Sequence, residues 1–290
     1  MNKILPFSLP ELKDQRHSAV KKISISGVQP KYSLKIVNEN LQLTEKNGEY
    51  ILKPPYNNDF DFSADMPANE HITMQIAKMV FDLDVAENFL VFFPDKTPAY
   101  LTKRFDVLPN GQKIKAEDFA QLTGISDKYE FSYQKMAQIL KNVVGEQNYM
   151  KNAERLFKAI VFNYLVNNGD AHLKNFSVIY PLAEAPRLAP FYDLLNTRLH
   201  LPSDGFMALD LFEDSYSTDI FEKLGFFSYR DFFEFGEKIG LDSEIADDFL
   251  KGIQSKLEEI YKLLESSDLS RDAVAKYKGH VQERGEMLLP

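Results

Sequence analysis

Cysteine is absent from this chain of 290 residues. That excludes a disulfide scaffold, a cysteine-ligated zinc and thiol catalysis together. Long apolar runs are also lacking. No stretch of about 18 apolar residues occurs, so no membrane-spanning helix is expected. The opening MNKILPFSLPELKDQRH breaks its apolar residues with prolines and follows them with charges, without the h-region of a signal peptide. With no thiols to oxidise, the expected location is the cytoplasm. Positive charge is in deficit: 34 Lys and Arg stand against 43 Asp and Glu, a net −9. Such a surface repels phosphate backbones, so direct nucleic-acid binding is not expected. A phosphorylated ligand would need local cations, a metal, or both. Repeats and low-complexity tracts are missing too. What remains is 44% hydrophobic and 27% charged, the balance of a globular protein with one large domain or two lobes.

The first hundred residues read as β-rich. KISISGVQPKYSLKIV alternates apolar and polar residues around Gly27 and Pro30, which predicts strand, loop, strand. LQLTEKNGEYILKP follows, with Asn47-Gly48 expected as a hairpin turn. Ile72, Ile76, Met79, Val80 and Leu83 then fall at helical spacing behind Pro67. NFLVFF and AYLTKRFDV predict two more strands, separated by PDKTP. Beyond about Asp106 the pattern turns helical. Leu156, Phe157, Ile160, Val161, Tyr164 and Leu165 form one apolar face, and Gly169 sits where that helix is expected to stop. FSVIY is strand-like, and RLAPFYD offers a second short strand. From Tyr229 onward the chain reads as helix, broken at Gly240 and SSDLS. The predicted class is α+β. A β-rich lobe spans residues 1–105 and a helical lobe 106–290, with the cleft between them as the expected ligand site.

The chemistry concentrates in VNNGDAHLKN. Leaving a helix, it places Asp170, His172 and Lys174 at alternate positions of what is expected to be an extended loop. Asn175 leads into the next strand, and a second acid, Asp193, follows in PFYDLL. An acid, an Asn five residues on and a second acid after a short hairpin is the spacing of a phosphotransferase. The first acid takes the substrate hydroxyl proton, and the Asn and second acid hold Mg²⁺. The plain alternative is an Asx-type turn with an exposed lysine. SISGVQPK contains a glycine turn able to bring backbone N–H groups of Gly27 and Val28 near phosphates. Taken alone, it reads as an ordinary turn with Lys31 on the surface. Lys53, in YILKPP, is a lysine in an apolar strand and would want an anion; it reads equally as a strand-end lysine reaching into water. LTKRFDV is either an edge strand or a backbone platform for a base. Glu70 is a weak candidate partner for Lys53, placed away from the apolar helix face. His17, His71 and His200 show no metal-ligand spacing.

In order, SISGVQPKYSL, ILKP, NEHITMQIAK, LTKRFDV, EDFAQLTG, NNGDAHLKNFSVIY and LAPFYDLL resemble the HipA family of bacterial toxin kinases, from about Ile23 to Leu195. The resemblance implies a two-lobed, protein-kinase-like fold that phosphorylates protein serine or threonine with ATP and Mg²⁺. It implies inhibition of translation through an aminoacyl-tRNA synthetase, and neutralisation by a small DNA-binding antitoxin. By resemblance, Asp170 is the catalytic base and Lys174 neutralises the transferring phosphoryl group. Asn175 and Asp193 hold Mg²⁺, Lys53 meets the nucleotide phosphates, and backbone groups of Lys103 and Phe105 meet the adenine. Autophosphorylation falls on Ser24 or Ser26, Ser24 matching the family position better. Phosphate there adds about two negative charges, which would repel a triphosphate and move the loop from the cleft.

Two departures qualify the match. Full-length family members carry an N-terminal subdomain ahead of the glycine loop, where this sequence has some twenty residues. The expectation is therefore a short, HipT-like form whose subdomain is a separate polypeptide. SISG also offers a second serine where many members have alanine. Two other function classes stay open: a kinase-shaped binding protein without transfer, and a phosphoester hydrolase with a metal on Asp170, His172 and Asp193. In the kinase reading His172 is structural, orienting its loop by hydrogen bonds.

Overall fold

The computed structural model describes residues 3–14, 30–56, 60–214 and 216–290. Ser24, Ser26, Gly27, Val28 and His17 lie outside the described residues. After helix α1 (Leu9–Asp14), five strands form one antiparallel sheet: β1 (Tyr32–Val37), β2 (Asn40–Leu43), β3 (Tyr50–Lys53), and, after helix α2 (Met66–Met79), β4 (Asn88–Phe92) and β5 (Pro98–Lys103). The strand order is β2-β1-β3-β5-β4.

That order corrects the expected hairpin at Asn47-Gly48. β2 and β3 both pair with β1 and not with each other, so Asn47-Gly48 lies in a crossing loop. The tight turn is Asn38-Glu39, where both residues take positive φ, 48° and 65°. This is the twist a two-residue hairpin demands. Gly48 is needed for another reason: a Cβ there would collide with the Ser33 side chain.

Strand alternation decides which side chains meet the ligand site. Leu34, Leu52 and Leu101 point to the outer face and pack with Leu5 and Leu12 of the N-terminal segment. That segment is stitched on by Leu5 N–H to Phe92 O and Phe92 N–H to Lys3 O, both 2.8 Å. Ile51 and Lys53 therefore face the opposite way, toward the helical half. There α2 supplies Ile72, Met74 and Ile76 to a core continuous with the helices. Met79, expected on the apolar face, is exposed at the last turn of α2.

The remaining chain holds β6 (Lys115–Asp118), α3 (Phe119–Thr123), α4 (Tyr133–Val144), α5 (Glu146–Leu165), β7 (Ser177–Tyr180), β8 (Arg187–Leu188), α6 (Asp219–Leu224), α7 (Tyr229–Lys238), α8 (Ser243–Glu265) and α9 (Arg271–Met287). The six apolar residues read from the sequence on α5 are all buried, which makes it the central helix. β6, β7 and β8 form a three-stranded antiparallel sheet. The second short strand shrinks to two residues, because Phe191 turns instead to bridge Val85. Among the described residues, no helix is long and apolar enough to cross a membrane.

The loop after α5 is bolted to the C-terminal helix. Arg284 is buried; its Nε donates to Asn167 Oδ1 at 3.1 Å and its guanidinium lies over the Tyr164 and Phe206 rings. Asn167 also donates to His280 O at 3.1 Å.

Candidate active site

A cavity of about 550 Å³ lies between the five-stranded sheet and the helical half. Lys31, Lys53, Lys103, Phe105, Asp170, Lys174, Asn175 and Asp193 all line it. A larger depression of about 1000 Å³, near Tyr229 and Glu244, contains none of them.

Lys53 is the centre of charge. It is 3% exposed, and its ammonium donates to Glu70 Oε1 at 2.6 Å and to Asp193 Oδ1 at 2.5 Å. Lys31 approaches Asp193 from the other side, 3.3 Å from Oδ2. Burial alone would drive Lys53 toward its neutral form, but Asp193 and Glu70 outweigh it and hold the ammonium charged. Burial likewise works against the Asp193 carboxylate, yet Lys31 and Lys53 overcome it and keep its pKa well below the usual range. Glu70 shows the opposite balance: its burial exceeds the help from Lys53 and pushes its pKa up to about 7. One ammonium shared by two carboxylates cannot fully offset both. Asp193 has a second lysine and Glu70 does not. The sequence left Glu70 a weak candidate compatible with plain solvent; it is buried and paired. Lys31, read as a surface residue, turns inward to an acid.

Asp193 takes a left-handed backbone, φ 56°, uncommon outside glycine. This turn sets its carboxylate beside the Asp170–Asn175 loop. Asn168 ties the two segments together. Its amide donates to Asn163 Oδ1 at 2.7 Å and to Asp193 O at 3.3 Å, and its Oδ1 accepts from Asp170 N–H at 3.4 Å. Asn175 Nδ2 lies 3.4 Å from Asp193 Oδ2. Its Oδ1 is buried with no hydrogen-bond partner among the described residues. An unused amide oxygen beside a carboxylate is a donor set that suits a hard divalent cation. Half a turn of the carboxamide presents that oxygen to the same point. The residues present therefore fit Mg²⁺.

The loop holding Asp170 is not extended, as expected, but coiled. Residues Leu173–Asn175 form a 3-10 turn, with His172 N–H on Asp170 O at 2.8 Å and Asn175 N–H on His172 O at 2.9 Å. The coil buries His172 and leaves Asp170 and Lys174 at the cavity. His172 orients the loop through its backbone hydrogen bonds and not through its ring: neither ring nitrogen has a hydrogen-bond partner among the described residues, and Nε2 stands 3.7 Å from Asp170 Oδ1. The ring's role is packing, edge-on to Tyr129 at 5.3 Å. Nor do Asp170, His172 and Asp193 form a metal set, since no three His, Asp or Glu side chains gather as a cation site among the described residues. Lys103 N–H is already given to Glu87 O at 2.8 Å, so Lys103 can offer a ligand its carbonyl but not its amide. The Phe105 ring lies against Tyr192 at 5.4 Å and walls the cavity beside Ile51 and Ala86.

Gly169 does not end α5; the left-handed residue there is Asn167, φ 57°. A Cβ at Gly169 would lie 2.5 Å from Asp204 Oδ2 and 2.7 Å from Gly205 O. Gly169→Ala is expected to cost about 1–3 kcal/mol by overpacking next to the Asp170 turn. A lowered midpoint of urea unfolding would show it.

The described histidines predict acid lability. Burial holds His71, His172, His200 and His280 below the usual imidazole value, with His172 and His280 at about 4. The unfolded chain takes up these protons near pH ~6.5. Their contribution to stability is therefore complete above that value and is lost as pH falls toward 4. Glu70 acts in the other sense: its raised pKa adds stability below the unfolded value and loses it as pH rises through about 7. Asp204, also raised by burial, acts with Glu70; four imidazoles oppose two carboxyls, so urea unfolding should have its midpoint at lower denaturant at about pH 5 than at about pH 7.

With this geometry in place, the relatives can be set beside it. The sequence profile described as HipA-like C-terminal domain matches residues 23–260. The chain belongs to the HipA-like C-terminal domain family. A Haemophilus influenzae protein named "Putative kinase" is 33% identical over 266 residues, covering 84% of this chain and 75% of that protein. The Shewanella oneidensis serine/threonine-protein kinase toxin HipA is 27% identical over 201 residues, which is 62% of this chain and 44% of the toxin. The chain thus spans under half the length of that relative. The structure of Shewanella oneidensis MR-1 HipA with HipB and operator DNA superposes with a TM-score of 0.72 at 21% identity, over 97% of this chain and 71% of that one. The fold of this HipA-like chain is two-lobed and protein-kinase-like, with a β-rich N-lobe and a helical C-lobe.

Some residues of the HipA-like site carried no sequence signal. Lys128 and Tyr129 reach Asp170 from 41 residues away or more, and Tyr192 anchors Ser177 Oγ at 2.6 Å and Lys174 O at 2.9 Å. Nothing in their spacing announces these contacts.

Proposed function

We propose that this chain is an ATP- and Mg²⁺-dependent serine/threonine protein kinase acting as the toxin of a toxin–antitoxin pair. The observation that carries the reading is the convergence, in one cavity, of Lys53, Asp193 and the Asp170–Asn175 loop from three separate stretches of chain. Phosphoryl transfer asks a protein for positioning and charge neutralisation more than for covalent chemistry, and this cavity offers both.

Lys53, already an anion-binding ammonium, receives the nucleotide phosphates, while the Lys103 carbonyl and the Phe105 wall flank the adenine. Asn175 and Asp193 hold Mg²⁺, which when bound neutralises charge on the phosphates. Asp170 accepts the proton of a protein hydroxyl as its oxygen bonds to the γ-phosphorus; the bond to the β-phosphate bridging oxygen breaks and ADP leaves. Lys174, exposed at the cavity edge, balances charge on the group in transit. The sequence expectation that Gly27 and Val28 offer backbone N–H groups to the phosphates, and that Ser24 or Ser26 takes phosphate from the chain itself, belongs to the same reading.

The Shewanella relative, named a serine/threonine-protein kinase toxin, supports the toxin role, and the HipA structure with HipB and operator DNA supports an antitoxin partner for this chain. That partner is a DNA-binding antitoxin. The net charge of −9 leaves DNA contact to the antitoxin. The substrate in this reading is an aminoacyl-tRNA synthetase, met in the cytoplasm. The test is incubation with γ-labelled ATP and a bacterial lysate beside an Asp170→Asn control. Label should appear on the chain and on a synthetase-sized band, and vanish in the control. Equal labelling by the control would overturn the assignment.

A further inference from the structure

We propose that Lys128 and Tyr129 are positioning residues for Asp170, and that the segment between α3 and α4 is built to hold the general base. The proposal rests on the kinase reading above and extends it to residues outside the Asp170 loop.

The segment's backbone is fixed to the catalytic turn itself: Leu173 N–H donates to Lys128 O at 3.3 Å. Its own turn is closed by Tyr129 N–H on Asp127 Oδ1 at 2.9 Å. Its far end is pinned by Asp210 N–H on Phe131 O at 3.3 Å and Tyr133 N–H on Asp210 O at 2.9 Å. The Tyr133 hydroxyl returns to the catalytic loop, donating to Ala171 O at 2.8 Å. Lys128 and Tyr129 thus sit on a framework that moves with Asp170.

Both side chains act on one carboxylate oxygen. The Tyr129 hydroxyl donates to Asp170 Oδ1 at 2.6 Å, and Lys128 Nζ lies 3.9 Å from the same atom. The Lys128 ammonium also rests over the Tyr129 ring, 4.6 Å from its centre, while His172 meets that ring edge-on. A hydroxyl bonded to Oδ1, with an ammonium 3.9 Å from the same atom, leaves Oδ2 as the oxygen for a substrate hydroxyl. An aspartate with free rotation about its side-chain bonds spends much of its time out of hydrogen-bond reach. A base restrained on one oxygen presents the other at a set place. Burial lowers the basicity of Lys128, Lys174 and Lys31 add to that, and Asp170 opposes them. Asp170 is the acid within ion-pair distance of Lys128 among the described residues. Tyr129 is 39% exposed, so its hydroxyl is not there to complete a core.

Tyr129→Phe removes the hydroxyl alone, Lys128→Met removes the charge, and Lys128→Arg keeps it. The readout is single-turnover transfer from γ-labelled ATP to the chain and to a bacterial lysate, across ATP concentrations. The maximal rate should fall about ten- to a hundredfold in Tyr129→Phe, as for loss of a charged hydrogen bond, and by a smaller factor in Lys128→Met, which removes an ion pair at 3.9 Å. The half-saturating ATP concentration should stay the same, and Lys128→Arg should recover most of the rate. A merely structural role would lower thermal stability and shift rate and half-saturation together. An active chain that Asp170→Asn silences, but whose maximal rate ignores Tyr129→Phe and Lys128→Met, would overturn this inference alone. An unsubstituted chain that transfers nothing would overturn the kinase reading and this inference with it.

Discussion

Asn in place of Asp170 is expected to lower phosphoryl transfer by roughly 10²–10⁴-fold, the usual contribution of a positioned general base. The amide keeps the shape of the side chain and can still accept from the Tyr129 hydroxyl, so the loop should hold its form. What it loses is the capacity to take a proton. In the proposed reading the nucleotide contacts fall to Lys53 and the cleft walls, so ATP affinity should not change. The account therefore requires a split: rate lost, binding kept. Single-turnover transfer and equilibrium ATP titration on the same preparation read both halves. Equal loss in the two would mean that Asp170 serves structure or binding.

Lys53→Met is expected to have the largest effect on stability. Lys53 is the buried cation between Glu70 and Asp193. Removing one partner of a buried pair costs about 3–5 kcal/mol, because the remaining charge has no compensation. Here Glu70 is left stranded, while Asp193 keeps Lys31. The double variant Lys53→Met/Glu70→Gln should recover much of the loss, since it removes the orphaned carboxylate as well. ATP affinity should fall in both variants alike, by about ten- to a hundredfold for a lost charged hydrogen bond. Urea unfolding and nucleotide titration separate the two roles. A double variant that regains affinity would remove Lys53 from the nucleotide site.

The residues legible in the sequence were those whose relation is short in sequence. Asp170 and Asn175 lie on one turn, and Asp193 follows a short hairpin, so residue type and spacing were enough to set them side by side. Lys53 was legible because an ammonium in an apolar strand is costly without a partner. The two-lobed architecture followed from the change in hydrophobic period near Asp106. What the sequence hid depends on tertiary docking. Asn38-Glu39 lacks glycine, yet both residues adopt positive φ because the pairing of Val37 with Asn40 leaves two residues to reverse the chain, while the better-looking Asn47-Gly48 serves a crossing loop. Gly169 resembles a helix stop, but its small size is needed for Asp204 and Gly205, more than thirty residues on. Glu70 faces away from the apolar stripe of α2, a position that reads as solvent until the sheet is laid over it. Lys128 and Tyr129 meet Asp170 only because the Lys128 carbonyl receives the Leu173 amide.

The central claim is that Asn175 and Asp193 share one divalent ion opposite Lys53. A crystal structure with Mg²⁺ and a non-hydrolysable ATP analogue tests it most directly. The account predicts Asn175 Oδ1 and an Asp193 carboxylate oxygen both at about 2.1 Å from one metal, with the Lys53 ammonium drawn from Asp193 onto phosphate oxygen. A metal held without either residue, or a nucleotide seated outside the cavity while Lys53 stays on Asp193, would contradict it.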